Sequence, residues 1–426
     1  MRKTEIKRAK SQKFSTASLD RSFALKHTPA YVIDLELLED NLRLLAEVKQ
    51  KAGCKIILAQ KAYSLPHTYP LIAKYLDGTT ASGSNEALLA SEFFADGEIH
   101  VYSAAYGLEE ITQLAQFCDH ILFNSFEQWV RFRSVIEQAR KERTSPLHVG
   151  LRVNPEYTEQ EHAMYDPAGS FSRLGITEAK FAQGVEQYGL DGIDTLHFHT
   201  LCEQNSDALA NTVKVFCAKF GKYFKQIKHL NLGGGHHITR KDYDLALLIQ
   251  TVQELKTTYD VEVYLEPGEA VVLDCGFLVS QVLDIVENDK QIAILDTSAT
   301  CHMPDVLEMP YRPRCFLLKQ PAEVAADPRL ASENSYQLAG EAGEYAHSYL
   351  FGGPTCLAGD VFNEYSFTEP LQIGDRVVFC DMALYSFVKN NTFNGMPLPD
   401  IVVRQEDDSY QVIRHFTYED FKKRLN

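Results

Sequence analysis

Lys61 closes the apolar run Ile56-Ile57-Leu58-Ala59-Gln60-Lys61-Ala62, a place where a cation is costly to hold. Burial favours the neutral amine, and a neutral lysine can condense with a carbonyl as a Schiff base. The ordinary alternative is a lysine that reaches water along its own methylenes. His197 and His199 alternate in His-Phe-His-Thr-Leu-Cys-Glu, which sends both rings to one side of a strand, where one could lie flat on a ring. A histidine there is otherwise a hydrogen-bonded rim or core residue. Gly233-Gly234-Gly235 precedes His236-His237, so backbone amides can approach an anion with no side chain in the way. A glycine triplet is also an ordinary tight turn. The tandem histidines raise the question of a metal, but no carboxylate or cysteine lies at ligand spacing, and no metal site is expected. In Leu265-Glu266-Pro267-Gly268-Glu269 two carboxylates flank a turn, and Glu266 is the candidate to pair with a protonated ring nitrogen. Its structural alternative is a helix cap or a solvated acid.

The elements that must position these groups are short apolar runs at 55–62, 78–82, 99–104, 120–125, 148–154, 193–199, 229–233 and 261–265. Segments with helical spacing, such as Leu35 to Lys51 and Ser84 to Phe94, separate them. Buried parallel strands read as nearly continuous apolar runs, so eight β-α units predict one barrel whose chemistry lies at the strand C-termini. From about residue 271 the texture turns to β-rich segments broken by Gly and Pro, a separate all-β domain. The expected fold is α/β: a (β/α)8 TIM-type barrel over 36–270, then a C-terminal all-β domain, 271–426, that also takes in the N-terminal strand at 28–35. Residues 1–27 are read as a basic, flexible extension with no apolar core, hence neither a secretion signal nor a membrane span.

The chain has 426 residues, 45% of them hydrophobic, enough for a large core and more than one domain. A net charge of -16 excludes nucleic acid and anionic membranes as partners and favours a cationic small substrate. Nine scattered cysteines without C-x-x-C spacing fit reduced thiols in the cytoplasm.

Six dispersed motifs in order carry a resemblance. They are Lys61, His199, the Gly233–Gly235 triplet, Glu266-Pro267-Gly268, Cys356 in Gly-Pro-Thr-Cys-Leu-Ala-Gly-Asp360, and Tyr385 in Met-Ala-Leu-Tyr. From about residue 28 onward the chain resembles the fold-type III pyridoxal-phosphate decarboxylases, the alanine-racemase-like group of ornithine and diaminopimelate decarboxylases. Ser172-Arg173-Leu174-Gly175-Ile176, Gly-Gly-Gly-His-His-Ile-Thr-Arg, Glu-Pro-Gly-Glu-Ala and Cys301-His302-Met303-Pro304-Asp305 resemble most the carboxynorspermidine/carboxyspermidine decarboxylases. The resemblance implies that Lys61 carries pyridoxal 5'-phosphate and His199 stacks on its ring. Gly234, Gly235 and Tyr385 would hold the phosphate, Glu266 would face the pyridine nitrogen, and Cys356 would protonate the substrate carbon. It also implies a homodimer in which each Cys356 completes the partner's active site. Read without the family, Cys356 is a small buried hydrophobe.

The departures from that family bear on the substrate. Ornithine and diaminopimelate enzymes carry an acid after the cysteine and an arginine after Glu-Pro-Gly, and here those positions are Leu357 and Glu269. Glu269 and Asp305 are therefore expected to bind the amines of a carboxylated polyamine, with Arg173 and Asp360 as further substrate contacts. The competing readings are a diaminopimelate decarboxylase, which Leu357 and Glu269 disfavour, an amino-acid racemase, whose second base is a tyrosine, and a silent homologue that binds a protein partner.

Overall fold

The computed structural model describes residues 25–160, 166–318, 336–405, 407 and 409–426, so the expected basic extension lies almost wholly outside the described residues. Two compact units divide the described residues: Asn41–Val271, and 25–40 together with Val272–Asn426.

The first strand, β1 (Ala30–Asp34), belongs to the second unit. The first unit contains β2 (Lys55–Ala59), β3 (Gly78–Ala81), β4 (Glu98–Tyr102), β5 (His120–Phe123), β6 (His148–Arg152), β7 (Thr195–His197), β8 (His229–Asn231) and β9 (Glu262–Leu265). Each pairs in parallel with the next, and β9 pairs with β2 to close the barrel. Helices return the chain between strands, as right-handed β-α-β connections require. The helix Phe126–Glu142 shows why. Ser125 caps it by accepting from the Gln128 amide, and Phe126, Trp129, Phe132 and Ile136 recur at helical spacing and are buried. Asp244 caps Leu245–Tyr259 in the same way, and Asp260 ends it in the left-handed conformation.

All eight strands sit where the apolar runs predict them, but all except β9 stop sooner. β2 ends at Ala59 and β7 at His197. Gln60 remains buried beyond β2 because its side chain donates to the Glu86 carbonyl at 2.5 Å, so a turn that packs inward reads as strand. Lys61 and His199 therefore stand on loops two residues past their strands. At the opposite end of the barrel β2, β4, β5, β6, β8 and β9 each begin with a charged or imidazole residue: Lys55, Glu98, His120, His148, His229 and Glu262.

The second unit is built on a ten-stranded sheet. It contains β10 (Gly276–Asn288), β11 (Lys290–Leu295), β12 (Cys315–Leu318), β13 (Tyr336–Leu338), β14 (His347–Gly352), β15 (Val361–Phe367), β16 (Arg376–Cys380), β17 (Asp400–Arg404) and β18 (Tyr410–Arg414). The order is β13-β12-β16-β10-β1-β17-β18, and β11, β14 and β15 extend from the far half of β10 beyond a bulge at Val282/Asp284. The N-terminal strand is thus built into this sheet, antiparallel to β10 and parallel to β17. Alternation along β1 feeds both faces: Tyr31 packs with Leu278, Phe351 and Phe379, while Val32 packs with Val279, Val378 and Val402. Asp34, fully buried, accepts from Arg404 Nη1 at 2.7 Å. Short helices, the last of them Tyr418–Leu425, complete a unit otherwise made of strands.

Candidate active site

Lys61, His199, Gly233–Gly235, Glu266 and Glu269 all follow the C-terminal ends of barrel strands, within a few residues of β2, β7, β8 and β9. Lys61 Nζ lies 3.2 Å from His199 Nε2, and the Gly234 amide donates to His199 Nδ1 at 3.0 Å. Nδ1 is therefore the unprotonated nitrogen of a neutral ring, and Nε2–H points at Lys61. Burial, and then the neighbouring basic groups Lys61 and Arg152, hold His199 well below the usual histidine range. Burial, and then the Arg152 charge, lower the Lys61 amine from the ordinary lysine value. The 3.2 Å contact thus joins an imidazole N–H to a lone pair on nitrogen, the form in which an amine attacks a carbonyl.

Gly234 leaves no room for a side chain, since a Cβ there would stand 2.0 Å from the Glu266 carbonyl oxygen. Gly235 has φ +81°, and its Cβ would meet the Leu201 carbonyl at 1.8 Å. The triplet is packed between the loops after β7 and β9. Thr200 Oγ1 and both ring nitrogens of His197 are buried there without hydrogen-bond partners. Glu266 is 8% exposed; its Oε1 accepts from Asn231 Nδ2 at 2.7 Å, and its Oε2 lies 3.6 Å from His197 Nε2. Asn231 Oδ1 accepts in turn from the Gly233 amide at 2.9 Å. One amide side chain so ties the carboxylate to the glycine turn. Glu269 is bonded to His237 Nε2 at 2.8 Å. Arg173 is exposed, and its carbonyl accepts from Asn124 Nδ2 at 2.8 Å.

The remaining candidates lie in the second unit. Of the nine thiols, all unpaired, Cys356 is the exposed one, and its amide donates to Asn394 Oδ1 at 2.9 Å. Asp360 is buried and engaged: Ser298 Oγ reaches its oxygens at 2.9 Å, the Thr300 amide at 3.1 Å and Thr355 Oγ1 at 2.7 Å. It braces the 353–360 loop that carries Cys356. Asp305 is ion-paired with Lys389, which also bridges to Glu308. Tyr385 is half-buried with φ +49°.

Two residues of the barrel mouth escaped the sequence reading. Arg152, 5% exposed, ends β6, donates to the His199 carbonyl at 3.0 Å and lies 4.6 Å over the Tyr102 ring. The argument that singles out Lys61, a cation in an apolar run, applies equally to Val-Gly-Leu-Arg152-Val. Asn231 ends β8, and nothing local marks it.

The family model described as pyridoxal-dependent decarboxylase, C-terminal sheet domain, matches residues 30–383. The chain belongs to the pyridoxal-dependent decarboxylases. It is 43% identical to the carboxynorspermidine/carboxyspermidine decarboxylase of Campylobacter jejuni, over 93% of this chain and 98% of that one. It is 36% identical to the carboxyaminopropylagmatine decarboxylase of a Synechocystis species, over 93% and 95%. The crystal structure of the Campylobacter jejuni carboxynorspermidine decarboxylase complexed with norspermidine superposes with a TM-score of 0.80 at 41% identity, over 93% of this chain and all of that one. The diaminopimelate decarboxylase of Archaeoglobus fulgidus matches at 23%. No helix among the described residues is long and apolar enough to cross a membrane.

A pyridoxal-dependent decarboxylase requires an amine for the aldehyde, an acid for the ring nitrogen and an anion cradle for the phosphate. The donor set fits: an amine poised to be neutral at Lys61, a buried carboxylate at Glu266, and a side-chain-free turn at Gly234 and Gly235 beside the unpartnered Thr200 hydroxyl.

Proposed function

We propose that this enzyme decarboxylates carboxynorspermidine, carboxyspermidine or both, giving norspermidine and spermidine in polyamine biosynthesis, with pyridoxal 5'-phosphate held on Lys61. The full-length similarity at 43% identity carries the reading, and Leu357 and Glu269, at positions where diaminopimelate enzymes have an acid and an arginine, support it. The cofactor, when bound, supplies the electron sink that lets a carbon–carboxylate bond break. The chain's residues do the rest. His199, in its fixed tautomer, keeps the Lys61 lone pair available and stacks on the ring. Glu266, anchored by Asn231, holds the proton of the ring nitrogen. Gly234, Gly235 and Tyr385 receive the phosphate. Cys356 of a partner chain in a homodimer delivers a proton to the substrate carbon, and Asp360 positions the loop that carries it.

Glu269 and Asp305 take the substrate's secondary and terminal amines. His237 orients Glu269 and Lys389 orients Asp305, so each acid reaches the substrate from an already fixed geometry. Arg173, exposed, contacts the substrate at the rim. The net charge of -16 favours a polycationic substrate over an anionic one. The deciding assay compares kcat/KM for carboxynorspermidine, carboxyspermidine, carboxyaminopropylagmatine and diaminopimelate. The first two should lead, and preference for either of the others overturns the assignment. Glu269→Gln should raise KM for the preferred polyamine acid tenfold or more, as loss of a charged hydrogen bond of about 1.5–3 kcal/mol requires, and leave the cofactor absorbance intact. In Lys61→Ala no borohydride-reducible cofactor linkage should remain.

A further inference from the structure

The end of the barrel away from Lys61 carries a group of side chains that the decarboxylation does not use. Glu98 and His100 lie two residues apart on β4, and His120 opens the neighbouring β5. Glu98 Oε2 is 3.0 Å from His100 Nε2 and 3.9 Å from His120 Nε2, and the three potential ligand atoms lie within 4.8 Å of one another. A tetrahedral zinc ion with bonds of about 2.0–2.2 Å holds its ligand atoms roughly 3.4 Å apart, so the distances found bracket those needed. We propose that Glu98, His100 and His120 form a binding site for a divalent late transition-metal ion of the zinc type, closing the N-terminal floor of the barrel.

Several independent features fit such an ion. His100 and His120 are 1% and 2% exposed, and their Nδ1 atoms are buried without hydrogen-bond partners. His100 Nε2 is bonded to Glu98 Oε2 and the two imidazoles stack at 3.9 Å between ring centroids, so a turn of either ring about its Cβ–Cγ bond breaks no Nδ1 contact. When Nε2 takes the metal, the ring proton moves to Nδ1 and no net proton is lost. Lys55 Nζ is bonded to the other oxygen of Glu98, Oε1, at 2.5 Å and to Tyr264 at 3.1 Å. That arrangement keeps Glu98 ionised and aims Oε2 at the imidazoles, the outer-shell support that ligating carboxylates usually have. The His148 and His229 rings stand 4.7 and 5.0 Å from that of His120, and His229 Nδ1 is held by Thr195 Oγ1 at 3.2 Å, so two further imidazoles lie beside the site for a fourth position. Two imidazoles and one carboxylate select zinc, nickel or cobalt over magnesium and calcium. The site stands at the start of strands whose other ends lead to the Lys61 mouth, roughly 13–17 Å away at 3.3 Å per residue. Its role is to hold the barrel floor together, not to touch the substrate.

The test uses tag-free holoenzyme dialysed against chelator and then given zinc chloride. We expect one zinc per chain by elemental analysis, a thermal midpoint raised on the order of 5 °C, and visible d–d bands when cobalt replaces zinc. His120→Gln and Glu98→Gln should lose the zinc, and His237→Gln, at the other end of the barrel, should keep it. Zinc-soaked wild-type crystals provide a measurement that does not depend on a variant folding, with an anomalous peak expected between Glu98, His100 and His120. Absence of zinc uptake by the wild type, uptake unchanged in His120→Gln, or a peak only at the Cys356 or His237 side of the chain overturns the proposal.

Discussion

Asn231→Ala removes the amide that donates to Glu266 Oε1 across 2.7 Å. Asn231 is 1% and Glu266 8% exposed, so bulk water cannot take over the vacated position without opening the loop. A hydrogen bond to a charged acceptor contributes about 1.5–3 kcal/mol, or roughly 10- to 150-fold in an equilibrium constant. The same substitution frees the Gly233 amide from Asn231 Oδ1, so carboxylate and glycine turn lose their common anchor together. The assay is a titration of cofactor-free enzyme with pyridoxal 5'-phosphate followed by absorbance, run beside kcat/KM for the preferred polyamine acid. Cofactor affinity or kcat/KM should fall between ten- and a hundredfold, while far-UV dichroism stays that of the wild type. Asn231→Asp should be worse, because it keeps the size and turns the donor into an oxygen facing a carboxylate. If both parameters remain within twofold in Asn231→Ala, or if Asn231→Asp matches the wild type, then Asn231 does not anchor Glu266 and the assignment of that carboxylate to the ring nitrogen loses its support.

Gly234→Ala sets a Cβ 2.0 Å from the Glu266 carbonyl, a backbone atom that cannot swing aside; cofactor affinity should fall roughly 5- to 150-fold, read by the same titration, at an overpacking cost of about 1–3 kcal/mol. Asp360→Ala strips Ser298, Thr300 and Thr355 of their shared acceptor; denaturant unfolding should show a loss of about 3 kcal/mol, and kcat should fall with it because the Cys356 loop is released. His302, buried, accepts from the Ser298 amide through Nδ1 and donates to the Pro397 carbonyl through Nε2. Burial lowers it from 6.5 to about 4. The unfolded chain thus takes up a proton there before the folded one does, so stability should be full above pH 6.5 and fall by up to about 3 kcal/mol toward pH 4. Unfolding free energies of the wild type and His302→Gln across that range should converge as the pH drops.

The barrel was legible because strands buried on both faces leave uninterrupted apolar runs, and the eight runs all became strands. Their ends were not, since Gln60 and Phe198 are buried beyond the last ladder residue and continue the apolar signal. Lys61, His199, Glu266 and the glycine triplet stood out because each is a residue type that a strand end does not require. Asn231 did not, because its partner lies 35 positions away and one asparagine in an apolar run announces nothing. Asp305 and Asp360 were read as substrate contacts, and their protein partners went unseen for the same reason. Their partners, Lys389 at 84 positions and Ser298 at 62, are brought in by the sheet and leave no local trace. Glu98, His100 and His120 form a cluster only because parallel register sets the starts of β4 and β5 side by side, with His100 opposite His120.

The lacing of β1 between β10 and β17 has a consequence for biogenesis. Asp34 and Arg404, which close that seam, are separated by 370 positions. A ribosome working at roughly 5–20 residues per second needs about 20–70 s to cover that distance. For roughly the first two-thirds of that time, until β10 begins at Gly276, Ala30-Tyr31-Val32-Ile33 has neither sheet neighbour, an unpaired apolar ribbon of the kind that seeds misassociation. Nascent chains stalled before residue 276 should therefore recruit a holdase at this segment, and those stalled after 404 should let it go.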